Sequence, residues 1–228
     1  MAFRVLLPGR GTGWTSSAAP LALVLAAAVP ARAGDEVRRF ARDFPVAERQ
    51  SVRLDFTAGE LQVEGTDGDQ VHIEVVARCT HHLWGNCEEK AEKLDVGSES
   101  SADWLDSKLT GTSRVSNHGL QVKMRVKLPR SRSFHLDMGA GEVEIQGLRK
   151  DVRVKLGAGE VHVAMDEQDV HEVDLDAGVG ETTLRSRGGK LEGSREHLVG
   201  SSVHWDEGSG KAHVRVNVGA GEVQMRCE

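Results

Sequence analysis

Tyrosine is absent from this chain, and aromatic residues make up only 4% of it. Stacking platforms for sugars or bases are therefore few: beyond residue 33 the only tryptophans are Trp84, Trp104 and Trp205. Positive charge is also in deficit. The formal net charge is −6 over 228 residues, and the basic residues are dispersed, which argues against nucleic acid as the partner. Long apolar runs are missing too. The one from Ala18 to Ala31 falls short of the roughly 20 residues that a spanning helix needs. Nor is there a G-x-S-x-G, an H-E-x-x-H or a phosphate loop. Gly139-Ala140-Gly141-Glu142 lacks the third glycine of a dinucleotide motif, and no helical pattern follows it.

The N-terminus has the layout of a secretory signal peptide. Arg4 and Arg10 precede the apolar run, and Ala31-Arg32-Ala33 is an A-x-A cleavage site. Residues 1–33 are thus expected to be removed, with no stable membrane span left. Their loss takes away three arginines and no acid, moving the formal charge from −6 to −9. Export favours disulfides, and of the three cysteines, Cys79 and Cys87 are close in sequence while Cys227 is next to last. We expect a Cys79–Cys87 bridge and a free Cys227. His81 and His82 lie between the bridging pair, but zinc needs about four suitably spaced ligands, and a disulfide loop accounts for the cluster. No metal ligands, cofactor or catalytic residues are expected.

What the chain does have is a recurring turn. Gly-Ala-Gly-Glu occurs at 139–142, 157–160 and 219–222, with variants at 57–60 (Thr-Ala-Gly-Glu) and 178–181 (Gly-Val-Gly-Glu) and a degenerate copy at 199–202. From 139 onward the intervals are 18, 21, 21 and 20 residues. A period near twenty residues signals a repeat architecture with one supersecondary unit per repeat. Apolar residues alternate before each turn (Val152, Val154, Leu156) and again after it (Val161, Val163), shifted by one. Alternation means half-buried strands. The shift requires a bend or bulge, which glycine permits. Gly139/Gly141, Gly157/Gly159, Gly178/Gly180 and Gly219/Gly221 are the expected structural corners, with Ala140, Ala158 and Ala220 small enough to point inward at the tight bend.

The predicted fold is all-β: a single-domain β-solenoid of stacked coils of about twenty residues, two strands per coil, paired in parallel. An antiparallel β-sandwich of hairpins is the alternative. Residues 34–50 read as a polar lead-in or cap, with Phe40, Phe44 and Val46 covering the first coil. Residues 51–228 read as the β-repeat domain, interrupted by an irregular insertion at 79–119 that holds a helix-prone stretch from Glu88 to Leu94.

With this repeat placed, the chain resembles the bacterial "putative adhesin" family of unknown function, also called toastrack-type domains. The likeness rests on LDFTAGELQVEGTDGDQVHIEV, LDMGAGEVEIQGLRKDVRVKLGAGEVHV and VNVGAGEVQM. It covers most of residues 45–228 and breaks down at 79–119. The resemblance implies an exported β-solenoid-like domain of the cell envelope, periplasmic or surface-exposed. It also implies a link to adhesion or envelope stress, with no established chemistry and no functional residues to carry over.

The functional expectation is a non-enzymatic scaffold or interaction module whose partner is an unknown envelope protein or polysaccharide. A polysaccharide-acting enzyme and a cation-binding β-repeat are the alternatives. Two convergent carboxylates and a base in a cleft would favour the enzyme, and a face of alternating charges the scaffold. The coil model stacks Glu142, Glu160 and Glu181 in consecutive coils as a candidate interaction ladder, splayed into water. His135, His162, His171, His204 and His213 alternate with core positions and are expected to face solvent. His162 and His204 are equivalent in the repeat, two coils or roughly 10 Å apart.

Overall fold

The computed structural model describes residues 35–80, 86–111, 119–192 and 200–228. The region expected as a signal peptide, His81, His82 and Val199 lie outside the described residues. The fold is all-β and solenoid-like, built around five long strands: β2 (Ser51–Thr66), β7 (Phe134–Gln146), β8 (Val152–Met165), β9 (Val170–Ser186) and β12 (Ala212–Cys227). Each carries one copy of the repeat and runs unbroken through its corner, Gly-x-Gly in four of them and Thr57-Ala58-Gly59 in β2. The two strands expected per coil are thus two arms of one bent strand.

Burial shows why the strand bends. In β8, Val152, Val154 and Leu156 are buried, then Val161, Val163 and Met165. Buried positions switch from even to odd across the corner, so both arms turn their apolar face to one core. The second glycine makes the switch: Gly59, Gly141, Gly159, Gly180 and Gly221 have φ between 135° and 146°, a region open to glycine and costly for other residues. The intervening residue does not point inward. Ala140, Ala158 and Ala220 are exposed, because φ near +135° at the next residue turns the strand before its core face resumes.

The five strands pair in parallel and in register, which overturns the alternative of hairpins closed at each corner. Their order is β2-β7-β8-β12-β9. The C-terminal coil therefore sits between the third and fourth copies, out of sequence order. The other edge of β9 is taken by its own return strands. Around Gly188-Gly189 the chain doubles back as β10 (Gly189–Glu192), antiparallel to the second arm of β9. Then β11 (Ser201–Trp205) runs antiparallel to the first arm. From Ser201 on, the expected degenerate copy at 199–202 is thus part of an edge strand and not a sixth coil.

At the opposite end the arms part. The first arm of β2 is extended by β5 (Trp104–Thr110) and β4 (Asp95–Ser100). The second is extended by β6 (Leu120–Pro129), β3 (Gln70–Cys79) and β1 (Asp35–Pro45). The segment expected as a lead-in contributes edge strand β1, with Phe40 and Phe44 packed against the core and Arg38 and Arg42 over the Phe40 ring. The insertion is partly regular: β4 and β5 belong to the sheet, and α1 (Cys87–Glu92) is tied to the end of β3 by the Cys79–Cys87 disulfide. Cys227 is free and buried. No helix among the described residues is long and apolar enough to cross a membrane.

Candidate interaction surface

In-register stacking turns the outward positions of each arm into rows that cross the molecule at about 4.8 Å per strand. On the first-arm face one row reads Asp106, Arg53, His135, Arg153, Arg215, Asp174, His204 from β5 to β11. The row beside it reads Lys108, Asp55, Asp137, Lys155, Asn217, Asp176, Ser202. Signs mix along and between the rows, and neighbours pair. Arg53 reaches Asp106 at 3.0 Å, Lys108 reaches Asp55 at 2.8 Å and Arg215 reaches Asp174 at 2.9 Å. At one end the Arg53 guanidinium lies 4.2 Å from the centre of the Trp104 ring, which meets His135 edge-on at 4.6 Å. Burial, then the charges of Arg153 and Arg53, hold the pKa of His135 below its ordinary value.

Between this face and the corners runs an open trough of about 1040 Å³. The charged row from Asp55 to Asp176 forms its wall, and Gly139, Gly157, Gly219 and Gly178 form its floor. The floor is bare backbone because the corners stack too closely for side chains: a Cβ at Gly157 would stand 2.4 Å from the Gly139 carbonyl oxygen.

The second-arm face carries the glutamate ladder, which departs from expectation. The register is Glu60–Glu142–Glu160–Glu222–Glu181. It has five members, and Glu222 separates Glu160 from Glu181 because β12 is intercalated. Lys123 on β6 closes one end, 3.1 Å from Glu60. Glu160 lies 3.7 Å from His162, and Glu222 accepts a 2.6 Å bond from Gln224. The expected kinship of His162 and His204 fails: His162 is on the second arm of β8, while His204 is on β11 beside the first arm of β9.

Sequence reasoning missed a cluster at the β11 edge. His204 Nδ1 is 2.7 Å from Asp174 Oδ1, and His213 Nδ1 is 2.8 Å from Glu172 Oε2. The His171 ring lies 5.5 Å from that of His213. Burial pushes the Asp174 carboxyl up, but hydrogen bonds from His204 and Arg215 outweigh it and hold its pKa below the ordinary value. The bond to Asp174 raises that of His204. These residues come from β9, β11 and β12, and only the unexpected strand order brings them together. Alternation alone could say no more than that each faces solvent.

A family model described as the N-terminal domain of toast_rack, DUF2154, matches residues 35–185. Among solved structures, a putative cell adhesion protein from Clostridium sporogenes is similar at 15% identity and TM-score 0.51, over 84% of this chain and 100% of that one. A putative adhesin from Bacteroides fragilis is similar at 9% identity and TM-score 0.33, over 82% of this chain and 97% of that one. No curated protein matches.

Proposed function

The chain belongs to the toast_rack N-terminal domain family, and from that premise we propose that it is an exported, non-enzymatic interaction module of the bacterial cell envelope. Its partner is an envelope protein or polysaccharide, engaged on the first-arm face. The observation that carries this reading is the pair of mixed-sign rows with the trough beside them. It is a continuous, periodic surface crossing five coils, where an enzyme would concentrate a few groups at one point. Mixed charge suits specific recognition, since it rewards a matching partner and repels a mismatched one.

The test pairs binding with hydrolysis. Purified envelope polysaccharide and solubilised envelope proteins are offered to the wild type and to the variant Arg153→Glu/Lys155→Glu. The expected result is saturable, salt-sensitive binding of one fraction, at least tenfold weaker in the variant, with no new reducing ends. Release of reducing sugar would identify an enzyme instead. Binding indifferent to the charge reversal would move the interaction off this face.

A further inference from the structure

We propose that Glu172, Asp174 and His204 form a binding site for a borderline divalent cation of the zinc class at the β11 edge of the stack. Each of the three offers one ligand atom, and these atoms all lie within 4.8 Å of one another. Tetrahedral ligands held 2.0–2.2 Å from a common ion stand about 3.3–3.6 Å apart, so an ion would draw the widest donors in by about 1 Å, and it would replace the 2.7 Å hydrogen bond between His204 and Asp174. Glu172 and Asp174 are half-buried on β9, and His204 is exposed on β11, so the donors sit on two hydrogen-bonded strands and not on a loose loop.

The donor chemistry selects the ion. Two carboxylates alone would suit calcium or magnesium, whereas an imidazole in the set favours zinc and its neighbours. Three protein ligands leave room for water or a partner's donor. The surroundings supply outer support: His213 on β12 bonds Glu172 at 2.8 Å, and the His213 backbone N–H donates to Asp151 at 3.0 Å. Groups that orient a ligating carboxylate typically matter 10–100-fold for affinity. One neighbour opposes binding. Arg215 holds the other oxygen of Asp174 at 2.9 Å, and its charge repels a cation. This inference does not depend on the proposed partner or on export. A bound ion would cross-tie β11 to β9, and through Glu172 to β12, closing the end of the stack.

The experiment titrates zinc chloride into the chelator-stripped, disulfide-intact full chain by calorimetry. One equivalent is expected to bind. His204→Ala and Asp174→Asn should each weaken it at least tenfold, and Arg215→Ala should tighten it severalfold. His81→Ala/His82→Ala should leave it unchanged. Melting in chelator checks that each variant folds, and Glu172→Gln replaces any that does not. Cobalt(II) gives an independent readout on the wild type: d–d absorption without a thiolate charge-transfer band. No saturable zinc binding up to millimolar would overturn the proposal. So would binding that survives loss of both His204 and Asp174, calcium binding as tightly as zinc, or a thiolate band.

Discussion

Gly159→Ala probes the corner on which both faces depend. At φ 135° the added Cβ would lie 1.8 Å from the Gly141 carbonyl oxygen, 2.8 Å from its carbon and 3.0 Å from its nitrogen. All three are backbone atoms of the neighbouring coil, so no side chain can swing aside. Alanine at such a φ costs about 1–3 kcal/mol in backbone strain, and overpacking a fixed neighbour costs about 1–3 kcal/mol more. The reduced freedom of the unfolded chain returns about 0.4–1 kcal/mol. The balance is a loss of about 3 kcal/mol, or a Tm lower by about 10 °C for a domain of this size. Gly97→Ala is the control, because a Cβ there meets nothing within 4 Å and the backbone carries no positive φ; it should change stability by about 0.5 kcal/mol or less. Urea unfolding of both variants measures the difference. A loss at Gly159 no larger than at Gly97 would refute the stacked-corner geometry.

Other outcomes follow from the same structure. Glu160→Gln relieves repulsion from Glu142 and Glu222 on both sides and should stabilise by up to about 1 kcal/mol, less in 1 M salt; millimolar calcium should leave the wild-type Tm within about a degree. Mass mapping should find the Cys79–Cys87 bridge, and Cys87→Ser should cost about 2.5 kcal/mol on the loop-entropy model for a separation of 8 residues. Cys227, whose pKa is pushed up to about 11 chiefly by burial, should resist alkylation at pH 8 until the protein unfolds. Because folding lowers the pKa of His135, the unfolded chain binds its proton first; the stabilisation is present above pH 6.5 and lost as pH falls through the folded pKa. His135→Gln should flatten that part of the stability profile.

The corner was legible in the sequence because it is a local device. Two glycines, a parity change and a glutamate fall within six residues, and each follows from strand sterics. The order of the coils was not. Each copy presents the same hydrogen-bonding edges, so the repeat does not specify which copy is its neighbour. The hairpin begun at Gly188-Gly189 uses up one edge of β9, and β12 enters on the other. That one event sets Glu222 between Glu160 and Glu181 in the glutamate ladder, separates His162 from His204, and gathers His204, Asp174, Glu172 and His213. The alanines failed for another reason: alternation was extended through Ala140, Ala158 and Ala220, although the following glycine breaks it.

The intercalated, in-register stack underlies both the charged face and the edge cluster, and engineered cross-links test it directly. Paired residues on adjacent strands stand about 4.8 Å apart, within disulfide range, whereas positions two coils apart stand about 10 Å apart, beyond the roughly 7 Å limit. Glu160 pairs with Glu222, and Glu222 with Glu181. Under mild oxidation, Glu160→Cys/Glu222→Cys should form a bridge and Glu160→Cys/Glu181→Cys should not. The reverse result would mean that the coils stack in sequence order and would contradict the account.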